Sequence, residues 1–375
     1  MITMKLKEIG KITTGKTPSK NIKNAFGNYI SFLTPKDFNG QRYSNITERS
    51  LSIEGVENVY NYIVKGPSVS VTCIGSDMGK TIFNEKDIIS NQQINSISEI
   101  DSNINPMYLY YLLYTKRKQL HFIGSAQGST MPILNKSDFG NLEFSFPSRK
   151  EQDIIVAKIN SFDSKIEINN KINTNLEKIS TEFFHNWLSN THSDKKKSLD
   201  SIANYKNGLA MQKFRPINIK ESLPVVKIRE LNQGHTDSNS DLCRKDIDES
   251  VQINTGDIIF SWSGTLLLDL WAGNEAGLNQ HLFKVTSNDY PSWFIYEWTK
   301  YYLQEFQLIA KSKATTMGHI KRSNLKESFA IIPDDNEWIK LNNLLGPIFD
   351  NKIKIRKQNL ILRQIKNQLL AKLLN

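Results

Sequence analysis

The sequence is poor in the residues that mark disulfide-rich, metal-binding and membrane proteins. Only two cysteines, Cys73 and Cys243, occur in 375 residues, and their spacing does not fit a metal site. A chain of this size needs no disulfide, so the low cysteine content predicts a reducing, cytoplasmic environment. No apolar run approaches the roughly 20 residues of a membrane span, and the N-terminus lacks the apolar stretch of a secretion signal. We therefore expect no membrane partner.

Patterns that indicate catalysis or metal binding are also missing. The six histidines are scattered, without an HExxH motif or a Cys/His cluster. No Ser/His/Asp grouping stands out along the chain. The sequence therefore predicts no catalytic residue, no metal ligand and no cofactor on this chain.

Three short motifs resemble catalytic ones but fit simpler roles better. Asn105–Tyr108 resembles the (D/N)PP(Y/F) motif of adenine methyltransferases, but the second proline is missing and Asn-Pro favours the start of a helix. Gly75–Thr81 resembles a phosphate-binding P-loop that is one residue too short, so a hairpin turn with an exposed Lys80 fits better. Pro333–Asp334 and Asp350–Lys352 match a nuclease-like PD…DxK pattern, but the second pair falls in a helical pattern rather than a strand hairpin.

The chain does have an excess of positive charge. Its net charge is +10 and its isoelectric point is about 9.3. This charge favours a polyanionic partner, but lysine-rich proteins are often basic without binding nucleic acid. Charge alone therefore does not decide whether this chain binds nucleic acid.

The length of the chain suffices for two domains, each with its own core.

The most informative feature is an internal repeat. A duplicated globule-plus-helix unit implies pseudo-twofold symmetry, and duplex DNA is the commonest partner that demands such symmetry. Four landmarks recur in the same order, with offsets of 186 to 193 residues: Asn91–Gln92 as Asn279–Gln280, Thr130–Met131 as Thr316–Met317, Lys136–Phe139 as Arg322–Leu325, and Leu6, Ile9 and Gly15 as Leu199, Ile202 and Gly208.

Each half of the chain ends in a long helical pattern with a seven-residue repeat. The first runs from Arg149 to about Asn190 and the second begins at Asn336, and such length indicates a coiled coil rather than a helix packed on its own domain. Asn169 and Asn173 interrupt the first seam, as polar residues do when they fix register. The predicted seam and partner-interface residues are Ile155, Phe162, Leu176, Phe183, Leu341, Ile348, Ile355, Leu362 and Leu369.

The sequence thus predicts an α+β fold with two mixed α/β globules separated by two long antiparallel coiled-coil helices. We divide the chain into globular domains at residues 1–148 and 192–335 and long helices at 149–191 and 336–375. Within the globules, the pattern predicts a strand over Ser68–Ile74 and single helices over Pro106–His121 and Pro291–Lys311.

Polar and basic residues in the repeated loops are the candidates for contacting DNA. Gln can pair bidentately with adenine and Arg with guanine, whereas Lys and Thr mostly bind phosphates. Lys136 and Arg322 are the stronger candidates because they recur in register. The full set is Thr13, Lys16, Lys20, Lys80, Gln92, Gln93, Thr130, Lys136, Lys213, Arg215, Gln280, His281, Thr316, Lys321 and Arg322.

This arrangement resembles the specificity subunit of type I restriction–modification systems over essentially the whole chain. Both globules open with an L-xx-I motif, at Leu6–Ile9 and Leu199–Ile202, and both precede a long helix. GSDMGKT resembles that family's G-x-x-G-K turn, PMYLYYLL its aromatic helix, and GSTMPILNKSDFGNLEFSFPSRKEQ its loop–strand–helix junction. The second half departs, with Gly264–Leu266 in place of that turn, as expected if the two globules read different sequences.

The resemblance implies a non-catalytic subunit that recognises a bipartite, asymmetric site in double-stranded DNA. Each globule would read one half-site, and the helices would act as a ruler for the gap. Two methyltransferase subunits would bind S-adenosylmethionine and methylate adenine, and restriction–translocase subunits would use ATP and Mg²⁺. Two alternatives stay open: a self-sufficient DNA adenine methyltransferase or nuclease, and a stand-alone DNA-binding scaffold.

Overall fold

The computed structural model describes residues 1–125, 132–237, 239–312 and 318–374. The chain forms two compact units, the first made of Met1–Asp163 with Ile365–Asn375 and the second of Ser164–Gln364. Each unit combines an α/β globule with segments of both long helices. The predicted division into two globules and two separate spacer helices therefore stays a prediction.

The first globule and the long helix that follows it contain ten strands and six α-helices among the described residues. The strands are β1 Ile2–Lys5, β2 Lys11–Thr14, β3 Phe26–Gly27, β4 Ile30–Leu33, β5 Arg49–Leu51, β6 Ser68–Thr72, β7 Thr81–Asn84, β8 Ile88–Ser90, β9 Ile94–Ser98 and β10 Glu143–Phe146. The helices are α1 Leu6–Ile9, α2 Ile53–Asn58, α3 Pro106–Thr115, α4 Arg117–Ser125, α5 Lys136–Gly140 and the long α6 Arg149–Asn190.

Three sheets organise this globule. The central sheet is antiparallel in the order β2-β9-β6-β7, and Val69 and Val71 of β6 share a core with Leu109 and Leu113 of α3. A second sheet has the order β3-β5-β4-β8, in which β4 and β8 are parallel. Strands β1 and β10 pair antiparallel, so the globule's first strand lies beside its last.

The second globule and the final helix follow the same plan. The strands are β11 Lys196–Ser198, β12 Asn204–Asn207, β13 Ser222–Val226, β14 Leu242–Arg244, β15 Gln252–Ile253, β16 Ile258–Ser261, β17 Leu267–Leu270, β18 Ala276–Leu278, β19 Leu282–Thr286 and β20 Phe329–Ile331. The helices are α7 Leu199–Ile202, α8 Ile228–Gln233, α9 Ser292–Tyr301, α10 Leu303–Ser312, α11 Arg322–Glu327 and α12 Asp335–Leu373.

Two of the three sheets of the second globule repeat the strand order of the first. The central sheet β12-β19-β16-β17 repeats the strand order of β2-β9-β6-β7, and β11–β20 repeats β1–β10. The remaining sheet, β14-β13-β18-β15, again contains one parallel pair, β13 with β18. The internal repeat deduced from the sequence is therefore a repeat of topology.

The two long helices pack together antiparallel. In the second unit, the Asn359 amide donates to Asn170 Oδ1 at 2.9 Å, and Glu177, farther along α6, pairs with Lys352, which precedes Asn359 on α12. In the first unit, Ile159 of α6 belongs to the same core as Leu370 of α12. The predicted fold class, two mixed α/β globules with an antiparallel helix pair, is confirmed.

The buried seam of the helix pair differs in part from the predicted seam. Phe183, predicted on the seam, is 41% exposed, whereas its neighbour Phe184 is 1% exposed. Leu341 is buried in the core of the second globule. Asn169, predicted as a polar interruption of the seam, is 1% exposed and donates to Asn359 of α12 at 2.8 Å, whereas the buried polar positions Asp163 and Lys352 were not predicted. The remaining predicted residues are half-buried: Ile155, Phe162, Leu176, Ile348, Ile355, Leu362 and Leu369.

Two predicted single helices are each broken in two. The segment that starts at Pro106 forms α3 and α4, with a break at Lys116, and the later segment forms α9 and α10, with a break at Tyr302. Both pieces pack on the same core, since Leu120 of α4 joins α3 in the first core and Phe306 of α10 joins α9 in the second. Within the described ranges, no helix combines the length and apolarity that a membrane span requires.

Candidate nucleic-acid interface

One end of the sheet β2-β9-β6-β7 gathers several loops of the first globule. Because the strands are antiparallel, the end of β2, the start of β9, the end of β6 and the start of β7 all lie there. Cys73 N–H donates to Gln93 O at 2.7 Å, and Leu134 N–H donates to Cys73 O at 2.9 Å, so the loops are tied to one another. We call residues 14–17, 73–80, 91–93 and 132–135 the first loop cluster.

The second globule repeats this hydrogen-bonding arrangement. Trp262 N–H donates to His281 O at 3.3 Å, and Ile320 N–H donates to Trp262 O at 3.1 Å. Gly264 N–H donates to Gly318 O at 2.8 Å, as Gly75 N–H does to Pro132 O in the first globule. We call residues 208–213, 262–266, 279–281 and 318–321 the second loop cluster.

A glycine allows the same close approach in each cluster. A Cβ atom on Gly15 would lie 2.1 Å from the Ser90 carbonyl oxygen, and one on Gly208 would lie 2.3 Å from the Leu278 carbonyl oxygen. No side chain fits at such distances, so the recurring glycine is required for packing the loop after β2 or β12 against its neighbour.

The first loop cluster brings together the predicted amide side chains. Gln92 is exposed and accepts a hydrogen bond from the Thr17 hydroxyl at 2.9 Å. Gln93 is half-buried and accepts one from the Asn91 amide at 3.1 Å. Side chains held by neighbours in this way are oriented before a ligand arrives, which favours specific recognition of base edges.

The predicted basic residues of the first cluster have partners of their own. Lys80 pairs with Asp77 at 2.9 Å, and the Lys16 ammonium lies 5.2 Å from the centre of the Tyr62 ring. Thr13, also a predicted DNA contact, is 6% exposed inside β2 and does not reach the loop surface. Lys20 is exposed and lies outside the cluster as defined.

The second loop cluster has a different side-chain chemistry. The Ser263 hydroxyl and His281 Nδ1 are 2.8 Å apart, and Gln280 Nε2 lies 3.4 Å from His281 Nε2. The Trp262 ring is 6.1 Å from the His281 ring and 6.3 Å from the His319 ring, measured between centroids. Among the described residues, the buried atoms Gln280 Oε1 and Trp262 Nε1 have no hydrogen-bond partner. This cluster is aromatic and partly unsatisfied, whereas the first is rich in amides.

Lys136 and Arg322 lie at equivalent places, beside small cavities rather than in the loop clusters. Lys136 begins α5 and borders a cavity of about 570 Å³ that is also lined by Lys7 and Lys11. Arg322 begins α11, donates to the Tyr205 carbonyl oxygen at 3.2 Å and borders a cavity of about 410 Å³. The second cavity is lined by two acids, Asp200 and Asp289, so the equivalent cavities differ in charge.

The remaining predicted contacts are spread over the second globule. Lys213 and Lys321 are exposed members of the second loop cluster, and Arg215 is exposed just beyond it. Thr130 and Thr316 lie outside the described residues.

The three motifs that resemble catalytic ones have structural roles. Asn105 caps α3, since its Oδ1 accepts the Met107 N–H at 2.8 Å, which confirms the predicted helix start. Residues Gly75–Lys80 form the predicted hairpin turn between β6 and β7. Asp350 is exposed on α12, whereas Lys352, two residues later, is 1% exposed.

The cysteines and the described acidic groups offer no reactive or metal-binding centre. Burial raises the pKa of Cys73 to about 12 and that of Cys243 to about 11, so both thiols stay protonated at neutral pH. In the parts of the chain that the structure describes, no group of three or more His, Cys, Asp or Glu side chains could hold a metal ion.

In the first unit, a carboxylate of α6 lies at the centre of a buried polar group. Asp163 accepts hydrogen bonds from the Tyr111 hydroxyl at 2.8 Å and from Lys366 of α12 at 2.7 Å. Arg42 donates to the Tyr111 oxygen at 3.1 Å and lies 3.9 Å from Asp163. The aromatic helix α3 is thereby fixed to both long helices.

The second unit has an equivalent group around Glu177. The Tyr296 hydroxyl of α9 donates to Glu177 Oε1 at 3.3 Å, and Lys352 and Lys300 both pair with this carboxylate. Burial raises the pKa of Glu177, but the two lysines lower it more, so the net pKa lies below the usual value. Burial lowers the pKa of Lys352 and raises that of Glu297, whose carboxylate accepts the Ser180 hydroxyl at 2.5 Å.

Sequence reasoning missed both buried groups and half of the second loop cluster. Trp262, Ser263 and His319 could have been found by applying the repeat offset to Cys73 and its neighbours. Asp163 and Glu177 lie in the heptad pattern, but a search for apolar residues passes over them.

Comparison with known proteins agrees with the fold. Residues 1–178 match the family model of the type I restriction modification DNA specificity domain. The type I restriction enzyme MjaIX specificity subunit of Methanocaldococcus jannaschii is 29% identical, covering 98% of this chain and 91% of the relative. The HindI specificity subunit of Haemophilus influenzae is 30% identical over 46% of this chain and 38% of its own length.

A solved structure shows the same fold. The S subunit of a type I restriction–modification system from M. genitalium superposes with a TM-score of 0.55 and 16% identity, covering 99% of this chain and 95% of that one. The similarity to the archaeal relative extends over nearly all of both chains, and the family model covers the first globule. The first 178 residues of this chain thus match the type I specificity domain, and nearly the whole chain is similar to a protein named as a type I restriction enzyme specificity subunit.

Proposed function

We propose that this chain is the DNA-recognition subunit of a type I restriction–modification system and that each loop cluster reads one half of a bipartite, asymmetric site. One observation carries the proposal: the same backbone hydrogen bonds hold both clusters, while the side chains that they present differ. A shared backbone arrangement lets both globules approach duplex DNA in the same way. Different side chains then make the two half-sites different.

The chemistry of the clusters suggests what each contributes. Gln92 and Gln93 offer amides that can pair with adenine in the major groove. Gln280 and His281 offer hydrogen-bonding groups beside the Trp262 ring, which can pack against bases or sugars. Lys16, Lys80 and Lys213 are placed to neutralise phosphates, which adds affinity but little sequence information.

The catalytic steps belong to partner subunits in this proposal. Two methyltransferase subunits with S-adenosylmethionine methylate adenine, and restriction–translocase subunits with ATP and Mg²⁺ cleave the DNA. This chain holds no cofactor and works in the cytoplasm. The relatives carry the name of specificity subunits, which supports the division of labour.

Selection from a random duplex library on the purified chain tests the proposal. We expect enrichment of two short sequences separated by a gap of constant length. A single uninterrupted motif, or no enrichment at low salt, would contradict it.

The enzymatic alternatives require a separate experiment. Purified chain is incubated with duplex DNA and either S-adenosylmethionine or Mg²⁺, and methyl transfer and strand cleavage are measured. We expect neither activity without partner subunits. Either activity from the chain alone would favour a self-sufficient methyltransferase or nuclease.

A further inference from the structure

Three polar pairs join α6 to α12 at intervals of seven residues on each helix. Asp163 pairs with Lys366 at 2.7 Å in the first unit. In the second unit, the buried Asn359 bonds the exposed Asn170 at 2.9 Å and the buried Asn169 at 2.8 Å, and Glu177 pairs with Lys352. The three layers therefore follow one heptad position along each helix.

The internal repeat relates these layers to one another. A shift of 189 residues, within the range of offsets of the sequence landmarks, carries Asp163 onto Lys352 and Glu177 onto Lys366. The same shift carries Asn170 onto Asn359. The central layer is thus asparagine in both copies of the repeat. In the outer two layers, the residues that correspond through the repeat carry opposite charges. Each acid on α6 corresponds to a lysine on α12.

The two lysines have less support from other groups than the acids do. Asp163 also binds Tyr111 and Glu177 also binds Lys300, so each carboxylate keeps a partner without its lysine. Lys352 is 1% exposed, and its ammonium lies 4.3 Å from the centre of the Tyr296 ring. Buried ion pairs contribute little net stability compared with apolar residues of similar size, and their best-attested use is to select partner and register.

We infer that the outer layers make α6 pair with α12 and prevent either helix from pairing with the same helix of a second copy. In an antiparallel pair of two α12 helices centred on Asn359, Lys352 of each copy would face Lys366 of the other. In a pair of two α6 helices centred on Asn170, Asp163 would face Glu177. Both arrangements place two like-charge contacts across the helix pair, which is unfavourable, and most so for the α12 pair because Lys352 is buried. This inference concerns helix pairing and holds independently of the proposed function.

A single new cysteine in the full chain reports the forbidden pairing. In Asn359→Cys, the new thiols of two copies face each other only when two α12 helices pair. The natural cysteines are both buried. The variant is compared with one that also carries Lys352→Met and Lys366→Met, which removes the charges but keeps the length and apolar character of the side chains. Both are refolded from denaturant under mild oxidation, over a series of protein concentrations, and dimers linked by a disulfide are measured.

The expected result is a more than about tenfold rise in the disulfide-linked dimer when the two lysines become methionine, since two like-charge contacts are removed. Lys357→Cys, at an exposed position of the same helix, controls for random collisions and should give equal dimer in both backgrounds. Equal dimer formation by the Asn359→Cys variants would overturn the inference. Failure of the methionine variant to refold would also overturn it, because the lysines would then hold the fold rather than select the partner.

Discussion

The two globules share a backbone arrangement and differ in the side chains that it presents. Both close their loop clusters with the same hydrogen bonds, and both place a tyrosine against a carboxylate of α6. At an equivalent half-buried position, the first loop cluster has Gln93 and the second has His281, which lies beside Trp262. The difference indicates that the shared features position the loops and that the variable side chains determine what is recognised.

The buried groups on α6 also differ in how completely they are satisfied. Asp163 is close to one tyrosine, one lysine and one arginine, whereas Glu177 depends mainly on two lysines and a longer tyrosine hydrogen bond of 3.3 Å. We therefore expect the two units to respond unequally to equivalent substitutions.

The largest effect is expected for Glu177→Gln. Removing this charge leaves Lys352 buried without its partner, which should lower the free energy of unfolding of the second unit by about 3 kcal/mol. Glu182→Gln, at an exposed position on the same helix, is the matched control and should change stability little. Denaturant unfolding with a probe in each unit measures both. Equal stability of the two variants would show that the Glu177 pair contributes nothing.

The same pair predicts a dependence on pH. The pKa of Glu177 is lower in the folded state than its ordinary value of 4.5, so its contribution is complete above that value and is lost as pH falls through the folded pKa. The difference in stability between the parent and Glu177→Gln should therefore be largest near pH 6 to 7 and shrink in acid. Unfolding curves across this range measure it, and a difference that grows in acid would reverse the assigned sign.

A smaller effect is expected for the tyrosine hydroxyls. Tyr111→Phe removes a hydrogen bond of 2.8 Å to Asp163 and one of 3.1 Å from Arg42, which should cost about 1.5 to 2 kcal/mol. Tyr296→Phe removes one longer bond to Glu177 and should cost less than about 1 kcal/mol. Thermal unfolding of both variants checks the order, and a larger loss for Tyr296→Phe would contradict the comparison.

The smallest effect is expected for Lys80→Ala. If Lys80 contacts one phosphate, the slope of log affinity against log salt should become shallower by about 0.9. The loss of affinity should be only a few-fold, because Asp77 already pairs with Lys80 in the free protein. Lys86→Ala, exposed at the opposite end of β7, serves as the control. An unchanged slope for both variants would indicate that Lys80 pairs with Asp77 in its turn and contacts no phosphate.

Much of the fold could be predicted from the sequence because the signals are local. The Asn105 cap, the turn at Gly75–Lys80 and the start of α6 at Arg149 follow from residues close together in the chain. The loop clusters could be predicted only as a set of candidates, since the pairing of Cys73 with Gln93 and Leu134 depends on strand order.

The seam of the helix pair could not be predicted from apolar periodicity. Phe183 and Phe184 are adjacent and chemically alike, and the packing of α6 on the second core decides that Phe184 is the buried one. From the sequence alone, a lysine such as Lys352 is predicted on the surface, and its burial is explained only by its pairing with Glu177. A polar residue in a seam becomes interpretable only together with its partner.

The central claim is that each loop cluster reads its own half-site, and the methylated motif tests it most directly. The chain and its methyltransferase partner are expressed in a host without other adenine methylation, and the methylated sequences are mapped for the parent, for Gln92→Ala/Gln93→Ala and for Gln280→Ala/His281→Ala. We predict that each double variant relaxes one half-sequence, a different one in each case, and leaves the other half and the gap length unchanged. Relaxation of the same half by both variants, or of both halves by either one, would contradict the account.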